Sequence, residues 1–180
     1  MNSEYGTRSP SELKELARRQ MKKATEVVPC VTVTEEHWKA IENYLKMAVD
    51  HGINTILTPV FTPPLDTAVG DERPTVQLVD VTVTDGKYSF CFDKLDRWVK
   101  LANKCGIENF EIAHFFTQWG AAHAPKVMAT VDGEYKRIFG WDTCATGPEY
   151  SAFLRQFIGE LLAFMKERGK DHNCYFHISD

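Results

Sequence analysis

The sequence has no excess of positive charge, no apolar run approaching a membrane span and no paired cysteine motif. Lys and Arg total 21 against 25 Asp and Glu, a formal net charge of -4. Phosphate neutralisation therefore lacks its usual supply of cations, which excludes nucleic acid and an anionic membrane surface as default partners. Nothing approaches the ~20 consecutive apolar residues that cross a bilayer, and Met1-Asn2-Ser3-Glu4-Tyr5 lacks the basic-then-apolar order of a signal peptide. The chain as given reads as soluble, and cytoplasmic by default. Five cysteines are scattered at 30, 91, 105, 144 and 174. With no C-x-x-C pair they indicate neither a zinc knuckle nor a redox centre, and are expected to be buried small hydrophobes. Neither a glycine-rich phosphate loop nor a G-x-S-x-G elbow is present.

What the chain does have is apolar material, 43% of 180 residues, enough for one sizeable core. Ser9-Pro10-Ser11-Glu12 is a capping box that opens a short basic helix over 9–23. After an extended stretch from Val27 to Val33, Thr34 caps a helix with Trp38, Ile41, Leu45 and Val49 at helical spacing, ended by Gly52. A strand is expected over 53–61. Asp93 caps the next helix, which buries Leu95, Trp98, Val99 and Ala102 and stops at Gly106 before a strand over 107–116. Pro148 starts a third helix with a stripe of Tyr150, Phe153, Leu154, Phe157, Leu161, Leu162 and Met165, stopped at Gly169 before a strand over 174–180. Helix, glycine and buried strand recur three times, the rhythm of parallel βα units with strands apolar on both faces.

Two segments break the rhythm. Val76–Val81 and Lys87–Phe92 alternate in polarity and meet through Asp85-Gly86, a strong hairpin signal. Residues 117–146 show no periodicity and are too long for an idle connection, so they are read as a functional loop. The fold class is therefore α/β, with about three parallel βα units and a β-hairpin inserted after the first strand. That is too short for a closed eight-stranded barrel of ~250 residues. The last residues end an apolar strand with nothing to cover its edge, and the chain is expected to be a fragment.

Catalytic groups of parallel α/β folds stand where strands run into loops. Those positions are Thr58, His114, Gln118, Trp119, His177, Ser179 and Asp180. Burial of a carboxylate such as Asp180 at a strand end favours its neutral form and suits it to hydrogen bonding or proton work, although it would equally serve as a helix N-cap. Trp119 and Trp141, with Phe116 and Phe139 nearby, offer flat faces for a sugar ring, and His114 and Gln118 offer hydroxyl partners. Lid packing of the aromatics and an interior His177 are the structural alternatives. A metal set of His172, Cys174 and His177 fits poorly, because His177 lies at odd offset from both others on a strand.

Several blocks in order resemble one family: INTILTPVFTPPLD (Ile53–Asp66), TVQLVD (Thr75–Asp80), HFFTQWGAAHAP (His114–Pro125), FGW (Phe139–Trp141) and HISD (His177–Asp180). They resemble the catalytic domain of glycoside hydrolase family 123 over about residues 35–180. The resemblance implies a partial (β/α)8 TIM barrel over 31–180, with 1–30 a divergent segment carrying the basic helix. It also implies retaining hydrolysis of terminal N-acetyl-β-hexosaminides (N-acetylgalactosamine) by substrate-assisted catalysis, the substrate's acetamido oxygen acting as nucleophile. Asp180 matches the catalytic Asp that polarises the acetamido group. The family's general-acid Glu would be the next residue, so this chain alone is expected to be inactive. His114, Gln118, Trp119, Trp141 and His177 are the substrate-binding candidates. No cofactor or metal is called for, and the partner is a carbohydrate substrate, with self-association through exposed strand edges. A non-catalytic carbohydrate-binding module and a homodimeric interaction module are the alternative readings.

Overall fold

A computed structural model describes residues 33–65, 67–118 and 120–177, all within one compact unit, Thr32–Asp180. The expected helix over 9–23, the extended stretch before Val33, and Asp66, Trp119, Ser179 and Asp180 lie outside the described residues.

The first helix, α1 (Glu35–Asp50), begins where the sequence indicates. The Thr34 hydroxyl accepts from the His37 amide, and the His37 side chain returns a bond to the Thr34 backbone, closing a capping box. Trp38 and Leu45 are buried, with Ile41 and Val49 packed beside them. The helix α2 (Asp93–Cys105) buries Leu95, Trp98, Val99 and Ala102 as expected and ends on Gly106 at φ 104, a left-handed cap that glycine adopts without strain. Asp93 is not its cap: Phe92 occupies that position, and Asp93 stands in the first turn, where a negative charge suits the helix dipole. Arg97 ties the two helices together, its guanidinium 4.6 Å over the Trp38 ring and bonded to both carboxylate oxygens of Glu35 at 2.7 and 2.5 Å. The longest helix, α3 (Pro148–Glu167), takes Pro in its first turn and buries Tyr150, Phe153, Leu154, Phe157, Leu161, Phe164 and Met165. Leu162 is not part of that stripe; it is exposed, because it lies beyond the edge of the buried arc set by Leu161 and Met165.

Three short strands, β1 (Thr55–Thr58), β4 (Asn109–Ile112) and β7 (Cys174–Phe176), form a parallel sheet in the order β1-β4-β7. Each is shorter than its apolar run. Val60 and Phe61, read as strand, are buried beyond β1 in the core instead. The register sets Leu57, Glu111 and Tyr175 side by side, and Ile56, Phe110 and Cys174 beside one another in the next row. Alternation then places Ile56, Thr58, Phe110, Ile112, Cys174 and Phe176 on one face, and Thr55, Leu57, Asn109, Glu111 and Tyr175 on the other. Phe110 and Ile112 are fully buried in one cluster with Leu45, Val99, Leu161 and Met165. The expectation of strands apolar on both faces is therefore corrected: the second face is half-exposed to exposed and carries Thr55, Asn109 and Glu111 beside Leu57 and Tyr175, with Asn173 bonded to Asn109 at 2.9 Å along it.

A second sheet, in the order β3-β2-β5-β6, comprises two hairpins. β2 (Asp80–Thr84) and β3 (Lys87–Cys91) turn through Asp85 and Gly86 at φ 50 and 73. The hairpin and its turn were legible, with the first strand beginning four residues later than its alternation suggests, at 80 rather than 76. β5 (Val127–Val131) and β6 (Glu134–Phe139) lie inside the segment read as an irregular loop, and turn through Asp132 and Gly133 at φ 49 and 91. Both turns have the paired positive φ of type I′, which matches strand twist. β2 pairs in parallel with β5, and the Gln77 side-chain amide splints them by donating to the carbonyls of Val79 and Met128 and accepting from the Met128 amide.

The cysteine expectation also changes. Cys91 and Cys144 are exposed, Cys105 and Cys174 are half-buried, and Cys30 lies outside the described residues. Cys91 ends β3 on the outward side of its alternation, and Cys144 sits in the loop before α3.

The rings of Phe61, Tyr88, Phe90, Phe139, Tyr150 and Phe157 lie 5.0 to 6.0 Å from that of Phe153. Phe153→Ala should lower stability by about 3–5 kcal/mol, read as the shift in urea midpoint at unchanged slope. A loss below about 1 kcal/mol would show that the rings around it collapse to fill the space.

Candidate functional site

The carboxyl ends of the parallel strands carry a cluster of polar groups. Past Ile112 the Ala113 amide bonds to the Thr58 carbonyl at 3.0 Å, and the His177 amide reaches the Ile112 carbonyl at 3.4 Å, so the ladder continues one step beyond the strands. His177 falls two residues after Tyr175, on the polar face, where its Nδ1 meets Glu111 Oε1 at 2.7 Å. The His114 ring, on a residue only 4% exposed, lies against the His177 ring with centroids 3.7 Å apart. A carboxylate, an imidazole and a second imidazole are thus stacked in sequence. Glu111 orients His177, as a carboxylate bonded to one ring nitrogen does, and His114 fixes the plane of the ring.

Thr58 is buried beside this cluster, and its hydroxyl donates to the Ile56 carbonyl at 3.3 Å, which makes it a strand-end support. Gln118 lies half-buried in the turn that follows. Trp141 lies in the loop between β6 and α3. Its indole N–H donates to the Asp71 carbonyl at 2.8 Å and its ring stands 5.6 Å from that of His123. His123 in turn closes a loop with Thr117, their backbones exchanging the Thr117 amide to the His123 carbonyl at 2.9 Å. The structure therefore brings His114 and His177 together, and separately places Trp141 against His123, which bonds Thr117. Phe139 and Phe116 are not part of a ligand platform. Phe139 is buried against Tyr150 and Phe153, and Phe116 meets Tyr150 edge to face.

Sequence reasoning missed Glu111 and His123. Glu111 stands in mid-strand within Phe110-Glu111-Ile112, away from the strand ends where catalytic groups of such folds stand; an acidic residue inside an apolar strand was itself the signal. His123 was visible only as one polar residue of an aperiodic loop.

Among the described residues, no group of three His, Cys, Asp or Glu side chains is placed to hold a metal ion. Burial pushes the Cys174 thiol up to about 11, which keeps it protonated. The loop after β4 is anchored to α3 by Tyr150, whose hydroxyl donates to the Phe115 carbonyl at 2.6 Å. Burial holds that phenol well above the usual tyrosine range.

A parallel sheet with helices on one face and polar groups gathered at the carboxyl ends of its strands defines an α/β domain of the kind that carries sites at that edge. The family described as glycoside hydrolase 123, catalytic domain, matches residues 22–180, and the chain belongs to that family. Among solved structures, a family 123 glycoside hydrolase from Clostridium perfringens, studied for the details of glycolipid glycan hydrolysis, shares the fold with a TM-score of 0.61 at 15% identity. The similarity covers 82% of this chain and 26% of that one, so the chain spans about a quarter of its length. No curated protein matches the sequence.

Tyr150→Phe should cost about 1–3 kcal/mol at neutral pH, since it leaves the Phe115 carbonyl buried without its donor. The raised phenol also gives the wild type an alkaline signature. Because the folded group holds its proton more tightly than the unfolded one, its contribution is complete below about pH 10 and declines above it, by up to ~1.4 kcal/mol per pH unit. Tyr88 shifts in the same direction, through burial and then the Glu149 charge. The quantity to read is therefore the gap between wild type and Tyr150→Phe in urea unfolding from pH 8 to 11. That gap should narrow as pH rises; a constant gap would show that the hydrogen bond matters and the proton does not.

Proposed function

We propose that this chain forms part of the wall of a (β/α)8 barrel glycoside hydrolase that removes terminal N-acetyl-β-hexosaminides, N-acetylgalactosamine first among them, with retention of configuration. The observation that carries the reading is the Glu111–His177–His114 stack at the carboxyl ends of a parallel sheet in a chain of family 123. Active sites of such barrels lie at that edge, built from strand ends and the loops after them. The polar face bearing Thr55, Asn109, Glu111 and His177 suits the barrel interior, where side chains meet those of the remaining strands.

In this reading the substrate's acetamido oxygen attacks the anomeric carbon as the glycosidic bond breaks, forming an oxazolinium with the leaving oxygen protonated by a neighbouring acid. A second attack, by water, returns the original configuration. Asp180 accepts the acetamido N–H and carries the negative charge that stabilises the oxazolinium. His177, three residues earlier and oriented by Glu111, binds a sugar hydroxyl with His114 and Gln118, while Trp119 and Trp141 present ring faces to the C–H side of the sugar. Residues 31–180 form the barrel part, and 1–30 lie outside it. The sheet edges β1 and β7 provide the surfaces for self-association when no further strands pair with them.

The test uses an aryl N-acetyl-β-galactosaminide, with this chain alone and with this chain fused to the remaining part of a family 123 catalytic domain. The chain alone should match a buffer control, and the fusion should turn over substrate. In the fusion, Asp180→Asn should lose about 10²- to 10³-fold in kcat, because an amide cannot carry the stabilising charge. Turnover by the chain alone that Asp180→Ala abolishes, or an Asp180→Asn fusion at the parent rate, would overturn the assignment. Light scattering after size exclusion should report self-association for the chain alone and a monomer for the fusion; a monodisperse chain would remove the edge-pairing part of the reading.

A further inference from the structure

Two connections leave the carboxyl ends of neighbouring parallel strands: the loop from β1 to β2, and the chain from β4 to α3 that contains the second hairpin. The first returns to its origin, with the Leu78 amide bonded to the Pro59 carbonyl at 3.0 Å and the Val79 amide to the Val60 carbonyl at 3.3 Å. Its outer part, residues 67–73, turns at Gly70 (φ 87), where the Asp71 amide closes on the Ala68 carbonyl at 3.0 Å.

Arg137, on β6, fastens that turn to the second connection. Its Nη1 meets Glu72 Oε1 at 2.6 Å and its Nη2 meets Asp142 Oδ2 at 2.9 Å. The guanidinium lies across Gly140, where an added Cβ would run into it, with Cζ 3.1 Å away. Lys126, just before β5, reaches the other Glu72 oxygen at 3.3 Å and the Arg73 carbonyl at 3.3 Å. The Lys126, Glu72 and Arg137 side chains are all partly buried. Partly exposed ion pairs contribute little to stability, but the planar fork of an arginine fixes the direction of whatever it joins.

Trp141 stands at the centre of these contacts. Gly140 before it lies under the guanidinium, and Asp142 after it is bonded to the same group. Its indole N–H donates to the carbonyl of Asp71, the residue next to Glu72, at 2.8 Å. One guanidinium therefore holds both chain neighbours of Trp141 and the segment that accepts its N–H. With that N–H spent inside the protein, the indole offers a ligand its ring and no donor.

We propose that Arg137 and Glu72 are positioning residues for sugar binding, their ion pair locking the two connections together and so fixing the plane of the Trp141 ring against which the C–H face of a sugar packs. This deepens the hydrolase reading and rests on it, since it takes Trp141 as a sugar platform. An uncharged sugar then depends on an ion pair that it does not touch. The platform acts on bound substrate and transition state alike, so its loss raises KM and leaves kcat in place.

The test reads the indole itself and then the sugar. The chain is labelled with ¹⁵N-tryptophan, and the Trp141 signal, one of four, is assigned by its absence in Trp141→Phe. Glu72→Gln removes the charge, Arg137→Lys removes the fork, and Gly140→Ala displaces the guanidinium with every charge kept; each is checked for native circular dichroism. In all three the Trp141 N–H should exchange with water about 3- to 10-fold faster, as the loss of one ordinary hydrogen bond allows, and the other indoles should keep their rates. Lys136→Gln, which removes the adjacent pair with Glu134, should leave all four unchanged. In the fusion with the remaining part of the catalytic domain, the same three variants should raise KM for the aryl N-acetyl-β-galactosaminide about 3- to 10-fold, the worth of an aromatic contact, at unchanged kcat. An unchanged Trp141 exchange rate in Glu72→Gln and Gly140→Ala, or an equal acceleration in Lys136→Gln, overturns the proposal. Faster exchange at unchanged KM overturns the part in sugar binding and leaves the hydrolase reading standing. A parent fusion without turnover overturns the hydrolase reading and the sugar-binding part with it, whatever the indole shows.

Discussion

The structure depends on one aromatic junction. Phe153, in the second turn of α3, touches the segment after β1 through Phe61, the first hairpin through Tyr88 and Phe90, and the second through Phe139. Neither sheet is large enough to bury an apolar face alone, since one has three short strands and the other is two hairpins. α3 supplies the surface they share, and the Gln156 side chain fixes it to the first hairpin by donating to the Tyr88 carbonyl at 3.0 Å. Ring packing of this kind is directional, with edge and tilted contacts favoured over random collapse, so it positions the sheets as well as burying them.

The polar cluster inherits its geometry from that junction. Tyr150, one turn before Phe153, bonds the Phe115 carbonyl and so holds the chain just after His114. The imidazole of His114 is thereby set against His177, which β4 and Glu111 position from the other side. A polar edge built on strands and one buried tyrosine is more rigid than one built on loops, and rigidity at that edge is what a constellation of polar groups needs.

The three helices and the parallel sheet were legible in the sequence because helix caps and stripes are local signals: Thr34 before Trp38, Pro148 before Tyr150, Gly106 after Ala102. Strand ends were not, because Val60 and Phe61 are apolar for the core and not for the ladder, and composition cannot distinguish the two. The second hairpin went unread although it carries the same Asp-Gly turn as the first. Its strands, Val127–Val131 and Glu134–Phe139, alternate weakly, and Lys136 and Arg137 follow one another where the register shifts near Val127. Of the site, His114 and His177 were found from strand-end logic, whereas Glu111 was hidden by the expectation that a parallel strand is apolar on both faces. That expectation holds for sheets with helices on both sides and fails where one face meets polar side chains instead.

The two hairpins are separated by all of α2 and β4 in the chain, yet they form one sheet through the parallel pairing of β2 with β5. The inner edge of each is the other's partner, and the Gln77 amide imitates a backbone pair where the strands themselves stop. Neither insertion is therefore a separable decoration. A chain that gained one without the other would expose a row of unpaired amides and carbonyls, and one that lost either would do the same. The two segments share one opening event, since separating either from the sheet breaks the same β2–β5 pairing and the same Gln77 bonds, so they act as one cooperative unit although the sequence writes them as two.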